Sequence, residues 1–137
     1  LLLCIRIRFG LLRNFFKEID VSEIKRFSVG PRMSEMVVYN NTIYLAGQIA
    51  EKTAGQDIHA QTTEVLACID ALLEQAGSDK SKILRCEIFL ADLADFAAMN
   101  QVWEKWVVPG HTPARATVEA KLANPQWKVE MVVTAAV

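Results

Sequence analysis

Residues 110–137 read GHTPARATVEAKLANPQWKVEMVVTAAV, and their alternation decides what kind of sheet the chain builds. Successive side chains of an extended strand point to opposite faces. In ARATVEAKL, residues 114–122, Arg115, Thr117 and Glu119 share one face, and Ala114, Ala116 and Val118 the other. In WKVEMVVTAAV, residues 127–137, Lys128 and Glu130 share a face, and Val129, Met131 and Val133 the opposite one. One face of this half of the sheet is expected to be apolar and to pack on helices. The other is expected to carry Arg115, Thr117, Glu119, Lys128 and Glu130. Periodicity leaves two readings of that polar face open. One is a solvated outer surface with cross-strand ion pairs. The other is an anion site in which Arg115 grips a carboxylate with both arms of its fork.

Upstream of this stretch, the spacing predicts a helix over about 93–107, with Phe96, Met99, Trp103 and Trp106 on one stripe and Pro109-Gly110 closing it. At that spacing the aromatic residues read as core rather than as a ligand platform. KILRCEIFLAD, residues 82–92, alternates as a strand. From 57 to 76, Ile58, Thr62, Val65, Ile69, Leu72, Leu73 and Ala76 recur at three- and four-residue steps, and Gly77 sits where a helix C-terminus favours glycine. MVVYNNTIYLAGQIA, residues 36–50, reads as a hairpin turning at Asn40-Asn41, two residues that tolerate positive φ. The expected order is β-β-α-β-α-β-β, an α+β fold with two helices packed on one sheet.

A chain of 137 residues has room for one ordinary domain, expected over 24–137. Residues 1–23 stand apart: LLLCIRIRFGLLRNFFK carries four cations before its first acid, and its apolar runs are too short to span a bilayer. A membrane-surface segment, an organellar transit peptide and a non-native leader are the three readings, the last being preferred. A net charge of −1 provides no general attraction for phosphate backbones, so neither a nucleic acid nor a membrane partner is expected. Three unpaired cysteines argue for free thiols and a reducing, cytoplasmic compartment. His59 and His111 lie far apart and near no cysteine, so no metal site is expected, and no phosphate-cradling glycine motif occurs. His111 reads as a solvated loop residue, Cys68 and Cys86 as buried inert thiols.

Several segments in order carry a resemblance. GHTPARATVEAKLANPQWKVEMVVTAAV is similar to the C-terminal signature of the RidA/YjgF family of reactive-intermediate deaminases, also labelled the endoribonuclease L-PSP family. YNNTIYLAGQIA resembles that family's first hairpin, and ILRCEIFLADLADFAAMNQVWEKW its strand-then-helix middle. The resemblance covers about 24–137. It implies a chorismate-mutase-like fold assembled as a homotrimer, with clefts between neighbouring subunits that hold a small carboxylate-bearing metabolite. It places the family's arginine on Arg115, within Pro113-Ala114-Arg115, its acidic residue on Glu130 and its helix asparagine on Asn100. Arg115 would bind the substrate carboxylate and Glu130 handle the water that hydrolyses an enamine or imine such as 2-aminoacrylate. Gly47 would cap the ligand, and no cofactor is required. Two positions depart from the family pattern: Thr117 stands where many members have Cys or Ser, and Arg32 where many have a tyrosine lining the cleft. Glu119 shares the face of Arg115 and is a candidate ion-pair partner for it. A non-catalytic binder of 2-keto acids is the alternative reading. A ribonuclease is a third, poorly supported by a chain without a basic footprint.

Overall fold

The computed structural model describes residues 22–137. The expected leader, 1–23, lies outside the described residues except for its last two.

Among the described residues, seven strands and two α-helices follow one another as β1 (Lys25–Val29), β2 (Ser34–Tyr39), β3 (Thr42–Leu45), β4 (Gln48–Ile49), α1 (Ile58–Gln75), β5 (Ile83–Leu90), α2 (Phe96–Trp106), β6 (Ala114–Glu119) and β7 (Val129–Ala136). The strands form one sheet in the order β1-β2-β3-β7-β5-β6, with β4 also paired to β7. All pairs are antiparallel except β5 and β6, which run parallel with α2 as their crossover. Both helices cover the same face. The fold is thus α+β, with the helix–strand order read from the sequence and two additions: β1, ahead of the hairpin, and the two-residue β4.

Local chemistry explains most boundaries. Asn40 and Asn41 take φ of 49° and 58°, the two left-handed residues that a tight hairpin needs, and they set Tyr39 opposite Thr42. Asp57 caps α1 by accepting from the Ala60 N–H at 2.9 Å. At the other end Gly77 takes φ of 73°, with its N–H on the Glu74 carbonyl and the Ser78 N–H on that of Leu73. The hairpin ends early because the chain leaves the ladder at Ala46-Gly47 before resuming as β4.

The core lies between the sheet and the helices. From α1 it takes Ile58, Val65, Leu66, Ile69, Leu72 and Leu73; from β5, Cys86, Ile88 and Leu90; from β7, Val129, Met131, Val133 and Ala135. β7 alternates buried and half-buried without a break, as a central strand with one covered face should. Gln61 is fully buried within α1. Its side chain accepts from the Lys128 N–H at 2.8 Å and donates to the carbonyls of Gln56 and Gln126, which ties the start of β7 to α1.

The polar residues of the last two strands do not share a face. β5 lies between β6 and β7, and pairs Cys86 with both Arg115 and Val133, and Phe89 with both Val118 and Glu130. Arg115, Thr117 and Glu119 therefore line up with the buried Cys86, Ile88 and Leu90, on the helix side. Glu130 lies on the outer face, beside Phe89 and Ile49. The expectation of one continuous polar face is overturned. Alternation determines which residues of a strand go together, but not which way each strand turns that set. At the β6 edge the covered side meets α2 and the turn before it, and α2 offers it Asn100 and aromatic rings rather than an aliphatic core. The small residues Ala114 and Ala116, with Val118, are turned outward and exposed.

Candidate functional site

Two polar clusters result, one on each side of the sheet. On the helix side, Arg115 of β6 donates from Nη1 to Asn100 Oδ1 of α2 at 2.7 Å. Its guanidinium carbon stands 5.2 Å from the ring centre of Trp103 and 6.0 Å from that of Phe96. Phe96, Asn100 and Trp103 fall at steps of four and three, and so present one face of α2 to β6. Thr117, two residues after Arg115 on the same face, has a buried hydroxyl oxygen with no hydrogen-bond partner. No carboxylate pairs with Arg115 among the described residues. Glu119, the candidate partner, instead accepts from the Leu93 N–H at 3.0 Å and caps the turn leading into α2. The half-buried guanidinium is thus held by a neutral amide and two rings, with its charge uncompensated. That is an arrangement suited to an incoming anion.

The second cluster is built around Glu130 of β7. Gly47 packs against it so closely that a Cβ there would collide with the carboxylate, with Glu130 Cδ at 2.9 Å. Only glycine permits that approach. A cavity of about 490 Å³ opens here, lined by Glu130, Gly47, Gln48, Glu35, Lys52 and Trp127 among others. Gln48 Nε2 donates to Glu35 Oε2 at 3.3 Å and to the Ala46 carbonyl at 3.0 Å, which fixes the Ala46-Gly47 break. Glu64 of α1 organises the loop between β4 and α1: its carboxylate accepts from the Lys52 N–H at 2.8 Å, the Thr53 N–H at 2.7 Å and the Thr53 hydroxyl at 2.6 Å. Burial alone would raise the Glu64 carboxyl, but these hydrogen bonds together hold it below its ordinary value. Cys68, on the cavity wall, is raised by burial and by Glu64 beside it. Cys86, on the helix side next to Arg115, is pushed up to about 12 by burial.

The structure therefore brings Arg115, Asn100 and Thr117 together, and separately Gly47 and Glu130. Arg32 joins neither group. It is exposed in the turn between β1 and β2, and its neighbour Met33 reaches the Glu130 cavity instead. His111 is likewise exposed, in the turn after α2. Reading the α2 stripe as core missed half its character. Met99 and Trp103 are buried, but Phe96 is 42% exposed and Trp103 spends a ring face on Arg115. Asn100, four residues after Phe96 and three before Trp103, was the visible sign that this face does more than pack. Gln61 and Glu64 gave no such sign, since polar residues on a long helix are ordinary until the loop they hold is seen.

A mixed sheet covered on one face by two helices, in this connection order, defines the YjgF type of α+β protein. The chain belongs to the endoribonuclease L-PSP family, whose profile matches residues 24–137. It is 52% identical over 112 residues to a RutC family protein of Haemophilus influenzae, covering 82% of this chain and 97% of that one. A crystal structure of a YjgF family member from Neisseria meningitidis superposes with a TM-score of 0.82 at 46% identity, covering 85% of this chain and 96% of the other. At 31% identity over 125 residues, covering 86% of this chain and 66% of the relative, stands the chloroplastic Reactive Intermediate Deaminase A of Arabidopsis thaliana.

Proposed function

We propose that the protein hydrolyses small enamine or imine metabolites that carry a carboxylate, of which 2-aminoacrylate is the type. The observation that carries this reading is Arg115, a half-buried cation braced by Asn100 and left without an acid. Its fork takes the α-carboxylate and fixes the ligand for attack. An enamine tautomerises to the imine. Water then adds to the carbon of the protonated imine (C=NH2+), with Glu130 accepting its proton. Glu130 returns that proton to the carbinolamine nitrogen, the C–N bond breaks as ammonia leaves, and loss of the hydroxyl proton to water leaves a 2-keto acid. The deaminase name of the plant relative is in keeping with this chemistry.

Arg115 and Glu130 lie on opposite faces of one chain's sheet, so a complete site needs a second copy. A homotrimer meets that need by placing the Arg115 cluster of one subunit against the Glu130 cavity of the next. The outer face favours such an assembly: Tyr44 and Val118 are 49% and 48% exposed there, beside half-buried Ile49, Phe89 and Val132. Thr117 and Gly47 then line the cleft.

The test is ammonia release coupled to an amino-acid oxidase or a dehydratase that generates the imine in situ. Acceleration by the wild type that disappears in Arg115→Ala supports the deaminase; equal rates for both remove it. A second reading, a binder of 2-keto acids without turnover, draws on the same preorganised Arg115. Glu130→Gln separates the two, because it spares binding in either case and abolishes only turnover. The ribonuclease reading takes its support from the family's name alone.

A further inference from the structure

An acid beside Arg115 would occupy the guanidinium fork and cancel its charge before any ligand arrived. Aromatic rings brace a cation without neutralising it, because the attraction is to the negative face of the ring. Trp103 is placed for that: only 6% exposed, with its ring centre 5.2 Å from the guanidinium carbon. Trp103 is itself held. Its ring lies tilted at 49° against Trp106, centre to centre 5.4 Å, and the Trp106 indole N–H donates to Asp70 Oδ2 of α1 at 2.9 Å. Contacts thus run from α1 through Asp70, Trp106 and Trp103 to Arg115 on β6. Of the five guanidinium donors, the described residues engage only one nitrogen, Nη1, through Asn100.

We propose that Trp103 is a positioning residue for carboxylate capture. Its indole face and the Asn100 amide together fix the plane of the Arg115 guanidinium, and the Nε and Nη2 donors are left to meet the ligand as a rigid fork. The inference rests on the reading of Arg115 as the carboxylate site. The exposed Phe96 ring adds a weaker second wall on the same cation.

Calorimetric titration with 2-oxobutyrate, an unreactive keto acid, tests the assignment. Trp103→Phe keeps a ring and is expected to bind within about threefold of the wild type, whereas Trp103→Leu loses about tenfold. Because Trp103→Leu also removes a buried ring and can fail to fold, a second arm leaves the shape intact. Wild type and Trp103→Phe are produced with trifluorotryptophan, which withdraws charge from the ring face. Affinity should fall several-fold in the wild type and stay constant in Trp103→Phe, which still carries Trp106 and Trp127. If the wild type binds oxobutyrate and keeps that affinity within about twofold on fluorination, Trp103 merely packs and the proposal is overturned. A wild type that binds no keto acid removes the carboxylate reading of Arg115 itself, and this inference with it.

Discussion

At the scale of the residue, Arg115 and Glu64 show two ways of holding a charge. Arg115 is held by partners that leave its charge available, so its identity as an arginine matters more than its sign. Arg115→Lys should restore little of the activity lost in Arg115→Ala, because an ammonium has neither the planar fork nor the flat face that lies on Trp103. Both variants are expected to lower kcat/KM for imine hydrolysis by about 100-fold, read in the coupled ammonia assay. Glu64 is the opposite case, a carboxylate whose hydrogen bonds are all spent on the loop after β4. Its carboxyl is lowered from 4.5 in the folded state, so the stabilisation is fully present above pH 4.5 and is lost as pH falls through the lowered value. The gap in Tm between wild type and Glu64→Gln should be widest at neutral pH and close under acid conditions. A gap that stays constant with pH would show that the carboxylate's charge contributes nothing.

The elements differ in how readily the sequence disclosed them. α1 was legible because its apolar spacing and its Gly77 exit agree. The hairpin was legible in Asn40-Asn41. β1 was not, because KRFSV is mostly exposed in the structure and carries little of the alternation that marks a half-covered strand. For β6 the alternation was read correctly and its sense was not, since the direction in which a strand turns its polar set is decided by its neighbours. The same limit applied to the candidate site: Arg115, Asn100 and Glu130 could be named, but not that Glu130 lies across the sheet from the other two. One element makes a sharp prediction. At the break between β3 and β4, Gly47→Ala drives a methyl group into the Glu130 carboxylate, the mobile end of a side chain. The fold should therefore survive with a stability change under about 1 kcal/mol. Turnover should fall about 10- to 100-fold as Glu130 is displaced, which thermal unfolding and the ammonia assay would read on one sample. Equal loss of stability and activity would mean that Gly47 serves the backbone rather than Glu130.

At the scale of the molecule, the outer sheet face is the surface on which the proposed trimer would rest. Val118→Glu puts a charge on the β6 side of that face without touching the core. Sedimentation equilibrium should give a trimer for the wild type and a smaller species for this variant, with native circular dichroism and no imine hydrolysis. A variant that is monomeric yet fully active would show that one chain suffices.

The sheet order also has a consequence for how the protein is made. β7 follows every other strand along the chain, yet it lies in the interior of the sheet, paired to β3, β4 and β5. While the ribosome still holds β7, the earlier strands form two separate leaves, β1-β2-β3 and β5-β6, with β3 and β5 unpaired on the edges where β7 will lie. Emergence of β7 closes the sheet, so the sheet cannot be completed before that strand has been made. Until then those two edges are the nascent chain's most exposed sites for pairing with another copy.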